Sequence, residues 1–290
     1  MNHLSNNRRA EVIRCLLERR SLSSTVRSTG IAKNTVAKLI RELGALCTKY
    51  TNEVMRNLQC RRIRVSETWS FAGPNEKDAQ RNRSAAFVAG RAARYSGDVW
   101  TWTAMDTDTR LVPCWMLGWR DANAAAGFRE DIIARLAQGS AHLEGGGGGL
   151  YLTAKEPAIR SISDRAILVK RYGKAVEAQS GPVDDVEWRM GQGKLDPAHG
   201  ADTQRSDISM RMSLHGFPRL ANRFSKKVEN HAAAVGIYFT WYNFGRFHPL
   251  LGTTPAMKAG VADHIWSIDE ILALMDFGLD RTKEPTLPTQ

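Results

Sequence analysis

The chain has 290 residues, 42% of them hydrophobic, a formal net charge of +11 and an isoelectric point near 9.7. That length has room for one large domain and a small one. The surplus of cations favours a polyanionic partner, because each phosphate neutralised by Lys or Arg releases condensed counterions, so nucleic acid heads the expected partners. The first twenty residues carry too much charge for a secretory signal, and no apolar run reaches the 18 or so residues that a bilayer demands. Cys15, Cys47, Cys60 and Cys114 form no CxxC pair and no Cys/His ligand spacing, which argues against a zinc site and a disulfide framework and for reduced, mostly buried thiols. The expectation is a cytoplasmic protein.

The charge is concentrated at the start. Positions 1–62 hold thirteen Lys and Arg against Glu11, Glu18, Glu42 and Glu53, about +9 of the total. Within that stretch Val12, Ile13, Leu16 and Leu17 recur at helical spacing, and Ser21-Leu22-Ser23 reads as a turn with an N-cap. Val26 continues an apolar face, Thr29-Gly30 breaks the pattern, and Val36, Leu39, Ile40 and Leu43 share one side of a third helix expected to end at Gly44. Three short helices with glycine between the second and third outline a helix-turn-helix. In that motif the third helix enters the major groove, so Lys33, Asn34, Thr35, Lys38 and Arg41 are the expected DNA contacts, with Asn34 and Thr35 able to read bases and the cations holding phosphates. A small helical bundle with a solvated basic face would show the same pattern.

From Cys60 the period changes to two: Ile63 and Val65 alternate with Arg62, Arg64 and Ser66 as in a strand. Positions 74–94 read as a loop. Positions 98–106 predict a second strand, Thr107-Asp108-Thr109 a turn, and positions 111–118 a third strand. Asp121 is placed to cap a helix over 122–136 in which Phe128, Ile132, Ile133 and Leu136 share a face. Glu144 is followed by five glycines, too costly in backbone entropy for a strong strand. Positions 166–169 suit one more strand, and 175–200 reads as a polar, mobile stretch. The remainder is expected to be helical: 204–214, a long helix over 219–244 with Phe224, Val228, Ala232, Val235, Phe239 and Tyr242 on one stripe, and a last helix over 265–275 before Gly278 and a tail.

Five stretches carry a family likeness: Ile63-Arg64-Val65-Ser66-Glu67-Thr68-Trp69-Ser70-Phe71; Gly97-Asp98-Val99-Trp100-Thr101-Trp102-Thr103-Ala104; Met210-Arg211-Met212-Ser213; Phe224-Ser225-Lys226-Lys227-Val228-Glu229-Asn230-His231; and Tyr242-Asn243-Phe244-Gly245-Arg246-Phe247-His248 with Thr254-Pro255-Ala256-Met257. Together they resemble the transposases of the insertion-sequence-one family from position 8 to about 276. The resemblance implies an α/β protein: an N-terminal helix-turn-helix (1–58), a ribonuclease-H-like, integrase-type mixed-sheet core (59–250), and a C-terminal helix and tail (251–290). It also implies DDE chemistry, in which carboxylates hold two magnesium ions about 3.5–4 Å apart while a water cuts the element end and the freed 3′-hydroxyl attacks target DNA.

By the same resemblance the three acids fall at Ser66, Gly146 and Gln204, none of which is acidic. Ser66 and Gln204 offer only neutral oxygens, and Gly146 has no side chain, so nothing there offsets the repulsion between two divalent cations. Among neighbours, Glu67 faces the opposite side of its strand, whereas Glu144 and Asp207 share the right face. The implied protein binds double-stranded DNA, at transposon inverted ends, through the third helix with Arg211, Lys226 and Lys227, and has lost strand cleavage and transfer. Arg205, Arg246 and His248 are further candidates for a DNA track, and His231 and His248 read as structural or phosphate-contacting. The late helices are available as a homo-oligomer interface. Two alternatives stand: an active enzyme with metal held by Glu144, Asp207 or Asp106, and a helix-turn-helix transcription regulator whose core takes a small ligand.

Overall fold

The computed structural model describes residues 4–18, 20–72, 97–137, 142–145, 166–172, 183–190 and 228–277. The chain divides into two compact units, one gathering helices from both ends of the sequence and the other built around a sheet.

In the helical unit, α1 (Asn6–Leu17) buries Val12, Ile13, Cys15 and Leu16. Helix α2 (Leu22–Thr29) starts where Ser21 Oγ accepts the Ser24 N–H at 3.1 Å and stops at Gly30, whose φ of +67° suits a residue without Cβ. Only Gly30, Ile31 and Ala32 separate it from α3 (Lys33–Val54). Helix α3 does not end at Gly44 as the sequence suggested; it continues through that residue for 22 residues in all. The reason is a distant partner. A Cβ on Gly44 would stand 2.4 Å from the carbonyl oxygen of Ala233 and 2.5 Å from its Cα, so glycine here lets two helix backbones meet rather than terminating one.

That partner is α5 (Val228–Thr240), buried around most of its circumference. Beyond it the chain widens into one π-helical turn, Trp241–Gly245, closed by the Arg246 N–H donating to Trp241 O at 2.8 Å. Phe244 and Trp266 sit 4.7 Å apart, and Tyr50 of α3 packs on both at 5.6 and 5.1 Å. Helix α6 (Pro255–Lys258) is capped by Thr254, and α7 (Ile268–Phe277) opens with a reciprocal capping box between Ser267 and Glu270. Helix α7 thus begins later than expected, leaving Ile265 exposed. It packs on α1 and α3, so the N-terminal helices share their core with the C-terminal ones and positions 1–58 do not close on themselves.

In the sheet unit, β1 (Arg62–Ala72), β2 (Gly97–Asp106), β3 (Cys114–Gly118) and β4 (His142–Gly145) form one sheet in the order β3-β2-β1-β4. Strands β2 and β3 are antiparallel. Bonds from Thr107 to Arg62 and from Thr103 to Ser66 run in opposite chain senses, so β1 and β2 are antiparallel too. Strand β4 is parallel to β1, with Arg62↔His142 through Val65↔Gly145 in register. Helix α4 (Ala122–Arg135) makes the crossover, started by Asp121, which accepts the Ala124 N–H at 2.8 Å. Its Ala125, Phe128 and Ile132 pack on Ile63, Val65, Trp102, Ala104 and Cys114.

Three expectations differ here. Strand β3 starts at Cys114 rather than Leu111, after Pro113, which has no N–H to give a ladder. Ile133 is exposed rather than sharing the face of Phe128 and Ile132, so the apolar stripe is narrower than read. Finally, β5 (Ala166–Tyr172) pairs antiparallel with β6 (Val183–Met190), a strand inside the stretch read as polar and mobile. The expected helix over 204–214, the start of the long helix before Val228, and the tail lie outside the described residues.

Candidate nucleic-acid interface

The first turn of α3 collects the features a polyanion needs. Ala32 at the N-cap provides no side-chain bond, so the leading N–H groups of the helix lack an internal acceptor and carry the positive end of the helix dipole. Lys33, Asn34 and Thr35 are all exposed there, while Val36, Leu39, Ile40 and Leu43 are buried beneath them. The same amphipathic spacing that seats the helix therefore turns its polar first turn outward. Helix α2 is held against this arrangement by Thr29: its Oγ1 donates to Thr25 O at 2.8 Å and accepts the Ile31 N–H at 3.3 Å. Arg8 of α1 donates to Thr29 O and pairs with Glu11 at 2.5 Å. Of the other two expected contacts, Lys38 lies 3.7 Å from Glu42, an exposed pair worth little, whereas Arg41 donates to Asn230 Oδ1 of α5 at 3.2 Å. Arg41 thus bridges two helices of its own unit. Arg211, Lys226 and Lys227 lie outside the described residues.

On the sheet, the face of β1 that carries Ile63 and Val65 is the one covered by α4, and alternation gives Glu67 to that side. Its carboxylate is committed: it accepts from Arg120, whose guanidinium lies 5.0 Å above Trp100. Ser66 belongs to the opposite face with Arg64, which is only 6% exposed. The parallel register sets Glu144 beside Arg64 and ends at Val65↔Gly145, so Gly146 and Gln204, like Asp207, lie outside the described residues. Asp106 is bound into the turn after β2, where its Oδ2 accepts both the Thr109 N–H (3.0 Å) and hydroxyl (2.5 Å). Among the described residues no cluster of three or more His, Cys, Asp or Glu could hold a metal.

Comparisons with known proteins add little. No family model and no curated protein matches the chain. Solved structures of the Mos1 transposase show a distant similarity: a paired-end complex with the left transposon end has 12% identity and a TM-score of 0.21 over 56% of this chain. This chain spans 57% of the length of that one. A pre-cleavage Mos1 transpososome (10% identity, TM-score 0.22) and the Mos1 strand transfer complex (11%, 0.21) are each covered over 80% of their length by 81% of this chain.

Two histidines read in the sequence as structural or phosphate-contacting. His231 sits on α5, where burial pushes its pKa down to about 4, so it is neutral at physiological pH. The backbone of His248 bridges to Thr253, its N–H donating at 2.9 Å. What sequence reasoning missed is the surface beside it. The Arg246 guanidinium stands 5.7 Å over Trp241 and 5.9 Å over Tyr242, and the next residue, Phe247, is exposed. The run Trp241-Tyr242…Arg246-Phe247 was visible in the sequence, but the five-residue closure that overlays the cation on the rings was not. No helix among the described residues is long and apolar enough to cross a membrane.

Proposed function

We propose that this chain is a transposase-type DNA-binding protein that engages duplex transposon ends through a helix-turn-helix formed by α2, Gly30-Ala32 and α3, and that it is defective in metal-dependent strand cleavage and transfer. The observation that carries the reading is the uncapped first turn of α3, with Lys33, Asn34 and Thr35 exposed together behind a three-residue glycine turn in the most basic part of the chain. Exposed N–H groups and Lys33 suit phosphate oxygens, and Asn34 and Thr35 suit base edges. The sheet order β3-β2-β1-β4, with β4 returning parallel to β1 through α4, supports a ribonuclease-H-like core.

In that core magnesium would rest on carboxylates at the centre of β1 and the end of β4. The residues present do not fit the metal pair. Ser66 offers a neutral hydroxyl, and the residue two before it on the same face is the buried cation Arg64, which opposes a divalent ion where the chemistry needs one. Glu67 is engaged by Arg120, and Asp106 gives one oxygen, Oδ2, to the Thr109 turn. No catalytic step is therefore assigned to this chain.

Two measurements test the reading. Duplex binding as a function of salt should show a steep log–log slope, with Lys33→Ala reducing that slope by about one and Asn34→Ala relaxing sequence preference at about 1–3 kcal/mol. Magnesium- or manganese-dependent nicking and strand transfer should be absent in this chain and appear in the Ser66→Asp, Gly146→Asp, Gln204→Glu triple variant. Activity in the unaltered chain, abolished by replacing Glu144, Asp207 or Asp106, would establish the active enzyme instead.

A further inference from the structure

The turn after α5 leaves an aromatic and cationic surface that the helix-turn-helix does not use. Phe247 is 53% exposed and Leu250 85% exposed; the first precedes and the second lies within the small hairpin closed by the His248–Thr253 bridge. Exposed large apolar groups in a rigid turn mark a contact surface more often than isolated ones do. The turn is held rigidly: a Cβ on Gly245 would meet Trp241 Cδ1 and Trp266 O, each at 3.0 Å, and the Trp266 N–H donates to Phe244 O at 2.9 Å. Arg246, the residue before Phe247, has its guanidinium held over the rings of Trp241 and Tyr242.

Charge selects the occupant. Positions 230–262 contain no acidic residue, and of the next three, Asp263, Asp269 and Glu270, the first and last are drawn to His264 at 2.6 and 2.5 Å. An apolar patch on a cation-bearing segment without acids of its own complements a polyanion that also offers flat apolar faces. Single-stranded DNA is such a partner, because its phosphates meet the cation and every base presents a π face.

We propose that Phe247, with Arg246 preceding it in the same turn, is a stacking platform for an unpaired base of single-stranded DNA. The proposal deepens the DNA-binding reading and rests on it only for the choice of DNA over RNA. Its test uses the full chain with two probes of one sequence, a single-stranded oligonucleotide carrying 2-aminopurine and its duplex. Base–aromatic stacking of about 1–3 kcal/mol per base corresponds to roughly 5- to 150-fold in affinity. Phe247→Ala should therefore weaken single-strand binding by about tenfold and abolish the change in 2-aminopurine fluorescence, while duplex affinity stays within about twofold. Phe247→Trp should retain both signals, and unchanged circular dichroism of the variants shows that they fold. Unaltered single-strand affinity in Phe247→Ala overturns the proposal. So does a shift from dimer to monomer in sedimentation with single-strand binding intact, which would assign the patch to a second copy of the chain. Lys33→Ala separates the two readings: loss of its duplex effect defeats the helix-turn-helix and leaves the Phe247 result to stand by itself.

Discussion

Replacing Gly44 with Ala reverses the usual sign of a glycine-to-alanine change in a helix. At a free helix interior position alanine gains about 1 kcal/mol. Here the new Cβ would lie 2.4, 2.5 and 2.6 Å from Ala233 O, Cα and Cβ, when ordinary contact begins at 3.4 Å. Two of the three obstacles are backbone atoms, so α3 and α5 must part by about 1 Å. Overpacking of this kind costs roughly 1–3 kcal/mol, and a gap of that width forfeits a quarter to a half of the dispersion attraction at each neighbouring contact along the seam. Both exceed the gain in propensity, giving a net loss of about 2 kcal/mol. At about 4–8 °C per kcal/mol for a unit of 60–100 residues, the melting temperature should fall by roughly 10 °C. Thermal circular dichroism and the urea midpoint of the intact chain both report it. Adding Ala233→Gly should recover only part of the loss, because the Ala233 carbonyl and Cα remain in place. An unchanged or raised melting temperature for Gly44→Ala would refute the close approach and restore the view of Gly44 as punctuation.

The complementary substitution is Gly127→Ala in α4, where a Cβ meets nothing within 4 Å; it should stabilise by up to about 1 kcal/mol in the same urea titration. Asp121→Ala removes the acceptor of the Ala124 N–H and should cost about 1 kcal/mol of α4 stability, visible as a lower denaturation midpoint. His231 is held neutral, its pKa falling from 6.5 to about 4 through burial. The unfolded chain therefore takes up a proton that the folded chain refuses. Stability is complete above pH 6.5 and declines by about 3 kcal/mol as pH falls toward 4; His231→Gln should flatten that slope in urea titrations across this window. Burial pushes the Cys47 and Cys60 thiols up to about 12, against an ordinary 9.0, so at pH 8 both should react with a maleimide about a thousandfold more slowly than in urea, as mass spectrometry would show.

Local chemistry made much of this fold legible. Ser21 and Asp121 announced their helices because short polar side chains accept the orphan N–H groups, and Gly30 announced a stop because the chain there turns left-handed. The alternation around Ile63 and Trp102 exposed β1 and β2. What escaped was set by partners remote in sequence. Gly44 looks like any helix stop until Ala233 is placed against it, and Arg41 looks like a free cation until Asn230 arrives. Strand β6 escaped because Asp184, Asp185 and Glu187 dilute the apolar signal of Val183, Val186 and Trp188. For the site, Lys33, Asn34 and Thr35 were legible from the amphipathic pattern, whereas the absence of a cap at Ala32 required the backbone.

The notch at Gly44 has a consequence for how the polypeptide is made. Helix α3 completes its buried face only when α5 arrives, and about 170 residues separate the end of one from the start of the other. At roughly 5–20 residues per second a ribosome needs about 10–35 s to supply them. Through that interval the emerging N-terminal helices carry an apolar seam with no cover, open to chaperones or to the same seam on a neighbouring nascent chain. A product truncated before Val228 would keep it open permanently, so the far end of the message governs whether its beginning folds.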